Sequence, residues 1–234
     1  MDAGTDAADD LAKDGDLYLR RLQLGVMQNY VYLLGSRAKR ECLVVDPAWN
    51  VASALAAAEA DGMKVVGALA THWHPDHVGG DLFGHTIEGL PELLAKRDVP
   101  IHVQRAEADG IAKVTGVPLT QLVVHDGGDE IAVGDVKVKL LHTPGHTPGS
   151  QCFLCRGHLI SGDTLFIRGC GRVDLPGGDS ATMWKTLTGV LAKLPASTVL
   201  HPGHQYGPID RRPSATNCAR PPTCRRPRST IGSR

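Results

Sequence analysis

Four metal-liganding side chains fall within six residues at His72-Trp73-His74-Pro75-Asp76-His77. Imidazole and carboxylate are the donors that borderline divalent metals favour. His72 and His74 lie two apart in a segment read as extended or looped, because Pro75 interrupts helix geometry. This differs from the helical H-E-x-x-H arrangement, where the ligands sit one turn apart. Asp76 and His77 are adjacent, so their side chains are expected to diverge. The stretch can therefore feed two neighbouring sites, with His72 and His74 on one and Asp76 and His77 on the other. More donors follow in Gly/Pro loops: His146 in Thr-Pro-Gly-His-Thr-Pro-Gly, Asp163 in Ser-Gly-Asp-Thr-Leu-Phe and His204 in His-Pro-Gly-His-Gln-Tyr. Spacing alone establishes that these side chains can converge.

The chain around these loops reads as short strands and helices. Leu17 to Leu24 and Asn29 to Leu34 alternate apolar and polar positions about a turn at Gly25, the pattern of paired strands. Glu41 to Val45 is a strand stopped at Asp46-Pro47. Val51 to Ala60 is alanine-rich and helical, closed by Asp61-Gly62. Lys64 to Ala70 is an apolar strand that delivers the chain to His72, completing a βαβ-like unit with the metal motif at its exit. Helical character follows at Pro91 to Arg97 and Glu107 to Val114, and strands at Ile101 to Val103, Leu122 to His125 and Val136 to Leu141. Gln151 to Cys155 and His158 to Ser161 form a hairpin. Asp179 to Leu194 is a helix capped by Asp179 or Ser180, and Thr198 to Leu200 is the last strand before His204.

Six cysteines are scattered through 234 residues and form no disulfide framework. Cys152 and Cys155 match C-x-x-C, but strand residues three apart point to opposite faces, so they read as buried thiols. His85, His102, His125, His142, His158 and His201 read as packed or solvated side chains. No segment is apolar over the roughly 20 residues a membrane span needs, and the first sixteen residues lack the pattern of a secretory signal. A cytoplasmic protein with no membrane or nucleic-acid partner is expected. The charges sum to zero. Residues 208–234 carry seven Arg against one Asp, a net of +6, which leaves the remainder at −6. Three segments follow: a flexible acidic N-terminus at 1–16, one folded domain at 17–207 and a basic Pro/Arg-rich tail at 208–234 too poor in apolar residues to order itself.

From about Tyr18 to Gly207 the motif series resembles the metallo-β-lactamase-fold superfamily. The resemblance implies an α/β chain folded as a single αββα four-layer sandwich with a metal cleft at one edge of the sheets. It implies that His72, His74 and His146 hold one divalent ion, that Asp76, His77 and His204 hold a second, and that Asp163 bridges them. Zinc is the expected metal, with iron and manganese compatible with the same donors. The implied activity is hydrolysis of a thioester or ester by a metal-bridging hydroxide, with Asp76 also orienting the hydroxide. True β-lactamases place Cys, Ser or His where Asp163 stands, which argues against that activity.

The stretch from Gly162 to Asp174 narrows the resemblance. It is similar to the G-D-x-L-F-x-x-G-C-G-[KR] run of glyoxalase II-like hydroxyacylglutathione hydrolases, and at least as close to the I-R-G-C-G-R-x-D run of persulfide dioxygenases. In both, the residue matching Arg172 helps hold the glutathione moiety, so Arg172 is a candidate substrate clamp. Its alternative is a loop-fixing pair with Asp174. Cys170 is a candidate pocket-lining residue or a small buried filler. The expected partner is a small, glutathione-linked molecule. The persulfide dioxygenase alternative uses a single iron on His72, His146 and Asp163; a lactonase or other dinuclear hydrolase is a further alternative, and a non-enzymatic binding module is the least favoured.

Overall fold

The computed structural model describes residues 9–12 and 15–206. The expected basic tail at 208–234 and residues 1–8 and 13–14 of the expected acidic N-terminus lie outside them.

The first sheet grows from local pairing. β1 (Asp9–Asp10) and β2 (Leu17–Leu24) run antiparallel, β3 (Asn29–Ser36) returns along β2, and β4 (Glu41–Val45) along β3. At the turn before β3, Gly25 takes φ +73, and a Cβ there would run into the Trp49 ring, so both the backbone and the packing require glycine. α1 (Val51–Ala60) starts where the Asn50 side chain accepts from Ser53 N at 2.9 Å, and it buries Val51, Ala54, Leu55 and Ala58 at helical spacing. It carries the chain to β5 (Lys64–Leu69), which lies parallel to β4 as a helical crossover allows. Then come α2 (Pro75–Val78), the small hairpin β6 (Gly80–Leu82) and β7 (His85–Ile87), α3 (Leu90–Lys96), β8 (Ile101–Gln104), α4 (Ala108–Thr115) and β9 (Leu122–His125). The sheet order is β1-β2-β3-β4-β5-β8-β9, its last three junctions parallel.

The second sheet is an antiparallel meander of β10 (Glu130–Val133), β11 (Val136–His142), β12 (Gln151–Cys155) and β13 (His158–Gly162). A short ribbon of β14 (Leu165–Phe166) and β15 (Gly169–Cys170) and helix α5 (Ser180–Gly189) precede β16 (Val199–Pro202), which adds parallel to β13.

Strand alternation sorts the apolar residues into three layers. Leu19, Tyr32, Leu34, Leu43, Val45 and Leu69 of the first sheet meet Val138, Leu140, Phe153 and Ile160 of the second in the central core. The intervening Val31, Leu33, Val44 and Ala68 face the other way, under α1, α3 and α4. Cys152 and Leu159 lie on the outer face of the second sheet against Met183 and Leu187 of α5. Helices outside, two sheets inside: this is the expected αββα order. Cys152 and Cys155 fall into different cores, as their spacing predicts.

Several local expectations need correction. β3 does not alternate; all eight of its positions are buried, because as an interior strand it is covered on both faces. Pro75 does not interrupt a helix but starts one, occupying the first turn where its missing N–H costs nothing. The helix expected to reach Leu194 ends at Gly189, a poor helix former, and continues as a 3-10 turn at Leu191–Lys193. The β6–β7 hairpin, β10 and the β14–β15 ribbon were not anticipated, being two to four residues long. No helix among the described residues is long and apolar enough to cross a membrane.

Candidate metal centre

The parallel pair β4–β5 sets the first part of the site. Asp46 leaves the end of β4 and receives Thr71 N at 2.7 Å and Thr71 Oγ1 at 2.6 Å from the end of β5, with His77 Nδ1 2.9 Å from its Oδ2. α2 then folds the motif back on itself, His77 N donating to His74 O at 2.9 Å and Gly79 N to Pro75 O at 2.8 Å. That turn corrects the expected divergence of Asp76 and His77: the Asp76 Oδ2 lies 3.4 Å from His77 Nε2. Asn29, from the start of β3, donates to Asp76 O at 2.9 Å and to its Oδ2 at 3.0 Å, and itself receives Trp49 Nε1 at 2.8 Å.

The other donors come from loops at the same edge. His146 sits between β11 and β12, its Nδ1 2.7 Å from the Arg172 carbonyl. Asp163 follows β13, and Gly171 passes so close that a Cβ would strike the Asp163 carbonyl. His204 follows β16, its Nδ1 3.2 Å from the Met27 carbonyl and its ring stacked on Tyr206 at 4.8 Å.

All seven expected ligands meet in one buried cluster with two lobes. In the first, His74 Nδ1 lies 3.0 Å from His72 Nε2 and 3.0 Å from His146 Nε2. In the second, His204 Nε2 lies 3.1 Å from His77 Nε2 and 3.3 Å from Asp76 Oδ2. Asp163 stands between them, Oδ1 3.4 Å from both His77 Nε2 and His204 Nε2 and Oδ2 3.7 Å from His146 Nε2. His72, His77 and Asp163 form a third group linking the lobes, each group's donor atoms lying within 4.8 Å of one another.

The cluster fits cations. A carboxylate or carbonyl oxygen faces Nδ1 of His77, His146 and His204, which places the proton there and leaves the Nε2 lone pair pointing inward. Lone pairs then confront one another at 3.1 Å between His77 and His204. Asp163 Oδ1 is buried with no partner at hydrogen-bonding geometry, an arrangement costing about 1–3 kcal/mol unless positive charge answers it. The electrostatics agree. Burial works against charge on His77, yet Asp76 and Asp163 hold it well above its ordinary range, and His204 is pushed up to about 9 by Asp163 and Asp76 despite burial. Burial opposes ionisation of both carboxylates, but His77 and His204 keep Asp76 and Asp163 far below the usual range. His72 is held well below its ordinary range by burial and its histidine neighbours, and His74 is pushed down to about 4 by burial and His146. The first lobe thus offers neutral imidazoles, while in the second the ionised carboxylates draw positive charge onto His77 and His204, the charge a bound cation would supply in its place.

Arg172 lies exposed on the loop directly after Gly171. Its guanidinium holds Asp174 through two 2.9 Å bonds, with the two side chains 69% and 68% exposed, so the loop-fixing alternative is the arrangement seen. Cys170 is half-buried and packs on the apolar cluster beneath α5, as a filler would. The remaining histidines stay outside the cluster: His102 Nδ1 lies 2.9 Å from His125 Nε2, and His158 Nδ1 2.9 Å from His201 Nε2. Sequence reasoning missed three supporting residues, Asn29, Asp46 and Glu107. Glu107 is fully buried; burial pushes its carboxyl up to about 7 against three donors that hold it down.

The chain is similar to known proteins over most of its length. The protein-family model of the metallo-beta-lactamase superfamily matches residues 24–204. A hydroxyacylglutathione hydrolase of Rhodospirillum rubrum is 36% identical over 187 residues, 79% of this chain and 65% of that protein's length. The human mitochondrial persulfide dioxygenase is 30% identical over 194 residues, 81% of this chain and 69% of the relative. The crystal structure of ETHE1 from Myxococcus xanthus superposes with a TM-score of 0.70 at 28% identity, covering 85% of this chain and 80% of the other.

Proposed function

The chain belongs to the metallo-beta-lactamase superfamily, and on that footing we propose that it is a metal-dependent hydrolase of a thioester or ester. The observation that carries the reading is the two-lobed donor cluster with the unpartnered Asp163 oxygen between its lobes. In this reading His72, His74 and His146 hold one divalent ion, Asp76, His77 and His204 a second, and Asp163 both. Zinc is the proposed metal, and iron or manganese suits the same donors. Held there, such ions would supply an acidified water and polarisation of an acyl oxygen.

The chain's own residues do the rest. Asp76, held by Asn29 at 3.0 Å, orients the attacking water by accepting its hydrogen. Asp46 and the Arg172 and Met27 carbonyls keep the imidazole protons on the outer nitrogens, so the inner ones remain donors of lone pairs. Arg172, exposed and directly after Gly171, exchanges Asp174 for the carboxylate of a glutathione-linked substrate. Cys170 packs behind that loop and sets its position beside the substrate. The buried thiols of Cys42, Cys152 and Cys155 suit a reducing, cytoplasmic setting.

A second reading, persulfide dioxygenase on glutathione persulfide, is supported by the Ile167-Arg168-Gly169-Cys170-Gly171-Arg172 run and by the similarity to two such proteins. It needs one iron on His72, His146 and Asp163, and His146 Nε2 does lie 3.7 Å from Asp163 Oδ2. A lactonase is compatible with the same two-ion cluster. Substitution tests the hydrolase reading: Asp163→Ala and His146→Ala are expected to lose bound metal and thioester turnover together. Full activity at unchanged metal content in either variant contradicts it.

A further inference from the structure

Glu107 lies at the N-terminus of α4, in neither ligand loop, and is fully buried. Its two carboxylate oxygens reach two separate loops. Oε2 accepts Trp73 N at 2.7 Å, between His72 and His74. Oε1 accepts Thr147 Oγ1 at 2.8 Å and Gly149 N at 2.6 Å, just after His146. The approach is tight on both sides. A Cβ on Gly149 would come within 2.7 Å of Glu107 Cγ, and one on Gly110 within 2.9 Å of Trp73 Cγ. Thr147 is fixed in turn by Ser150, whose Oγ lies 2.7 Å from the Thr147 Oγ1 and accepts Thr147 N at 3.0 Å.

We infer that Glu107 is a positioning residue for the first lobe, clamping the His72–His74 and His146 loops together so that their three nitrogens meet at one ion. The inference rests on the metal-binding reading above. It follows from what each donor requires. Two backbone N–H groups and a hydroxyl all point at Glu107, so the site demands an acceptor at both oxygens, which a carboxylate supplies and a carboxamide does not. Glutamine turns one end into an N–H facing another N–H, and one loop must move. The second lobe is anchored elsewhere, by Asp46 on His77, Asn29 on Asp76 and the Met27 carbonyl on His204. The effect of Glu107 is therefore one-sided, which a general loss of packing would not be.

The experiment loads apo protein with zinc alone and reads each affinity by competition with a chromophoric chelator, with His146→Ala and His204→Ala marking which ion belongs to which lobe. Glu107→Gln is expected to weaken the ion removed by His146→Ala by about tenfold, the lower end for outer-shell partners of metal ligands, while the ion removed by His204→Ala keeps its affinity. Glu107→Asp, which keeps the charge, is expected to recover part of the loss. Thr147→Val, which removes one of the three bonds, serves if the glutamine variant fails to fold and is expected to shift the same ion by a smaller factor. Unchanged affinity, or an equal loss at both lobes, overturns the inference. Wild-type protein that binds no zinc, iron or manganese overturns the metal-binding reading itself, and the inference with it.

Discussion

His77 Nδ1 lies 2.9 Å from Asp46 Oδ2, tying the end of β4 to α2 across 31 positions of the chain. The same carboxylate takes both the amide and the hydroxyl of Thr71. One buried side chain therefore fixes where the motif begins and which nitrogen its last histidine turns inward.

Asp46→Ala removes three bonds at once and leaves the Thr71 amide buried without an acceptor. We expect a stability loss of about 1–3 kcal/mol from that amide alone and a 10- to 100-fold loss of metal affinity. Chemical denaturation of the apo protein separates the first effect from chelator competition, which reads the second. Unchanged metal affinity contradicts the role given to Asp46.

Gly171→Ala sets a Cβ against the Asp163 carbonyl, a backbone atom that cannot swing aside. The loop carrying Asp163 must shift, with a cost of about 1–3 kcal/mol for overpacking and loss of bound metal. Thermal melts and metal analysis on one sample check both; a native melting temperature with full metal content contradicts the close approach.

Arg172→Ala is expected to raise KM for a glutathione thioester by about tenfold or more, the scale of one charge-assisted pair, with kcat nearly unchanged. A small ester without the glutathione carboxylates serves as the control and is expected to keep its KM. Equal effects on both substrates contradict the clamp and leave Arg172 as the partner of Asp174 alone.

Acid sensitivity should come in part from His201. Its pKa is pushed down to about 3, by burial and then by His158 and Arg21, while the ring sits stacked on His158 and edge-on to Tyr32. A histidine depressed in the folded state contributes stability that is present above its unfolded value, near 6.5, and is lost as pH falls toward about 3. The expected slope is about 1.4 kcal/mol per pH unit below 6.5, read from urea midpoints of the apo protein. His201→Gln should flatten that slope; an unchanged slope contradicts the assignment.

The parts of the fold readable in sequence are those with short-range causes. Val51 to Ala60 shows its helix through alanine content and the Asp61-Gly62 stop, and Cys152 and Cys155 show opposite faces through strand spacing. The seven candidate donors are readable because they fall in short Gly- or Pro-marked segments that follow apolar strands. Asp46 and Glu107 are not, since their partners lie 25 to 42 positions away and leave no local pattern. In sequence Asp46 reads only as a strand end and Glu107 only as the start of a helix. Pro75 is ambiguous in sequence because proline ends helices when interior and begins them when first, and only the fold around His74 settles which.

On the proposed function both lobes hold metal and serve hydrolysis. The direct measurement is metal content per chain by elemental analysis of purified protein, paired on the same sample with thioester hydrolysis and with glutathione-persulfide-dependent oxygen uptake. Two divalent ions per chain with thioester turnover and no oxygen uptake is the predicted result. One iron per chain with oxygen uptake and no hydrolysis would contradict it.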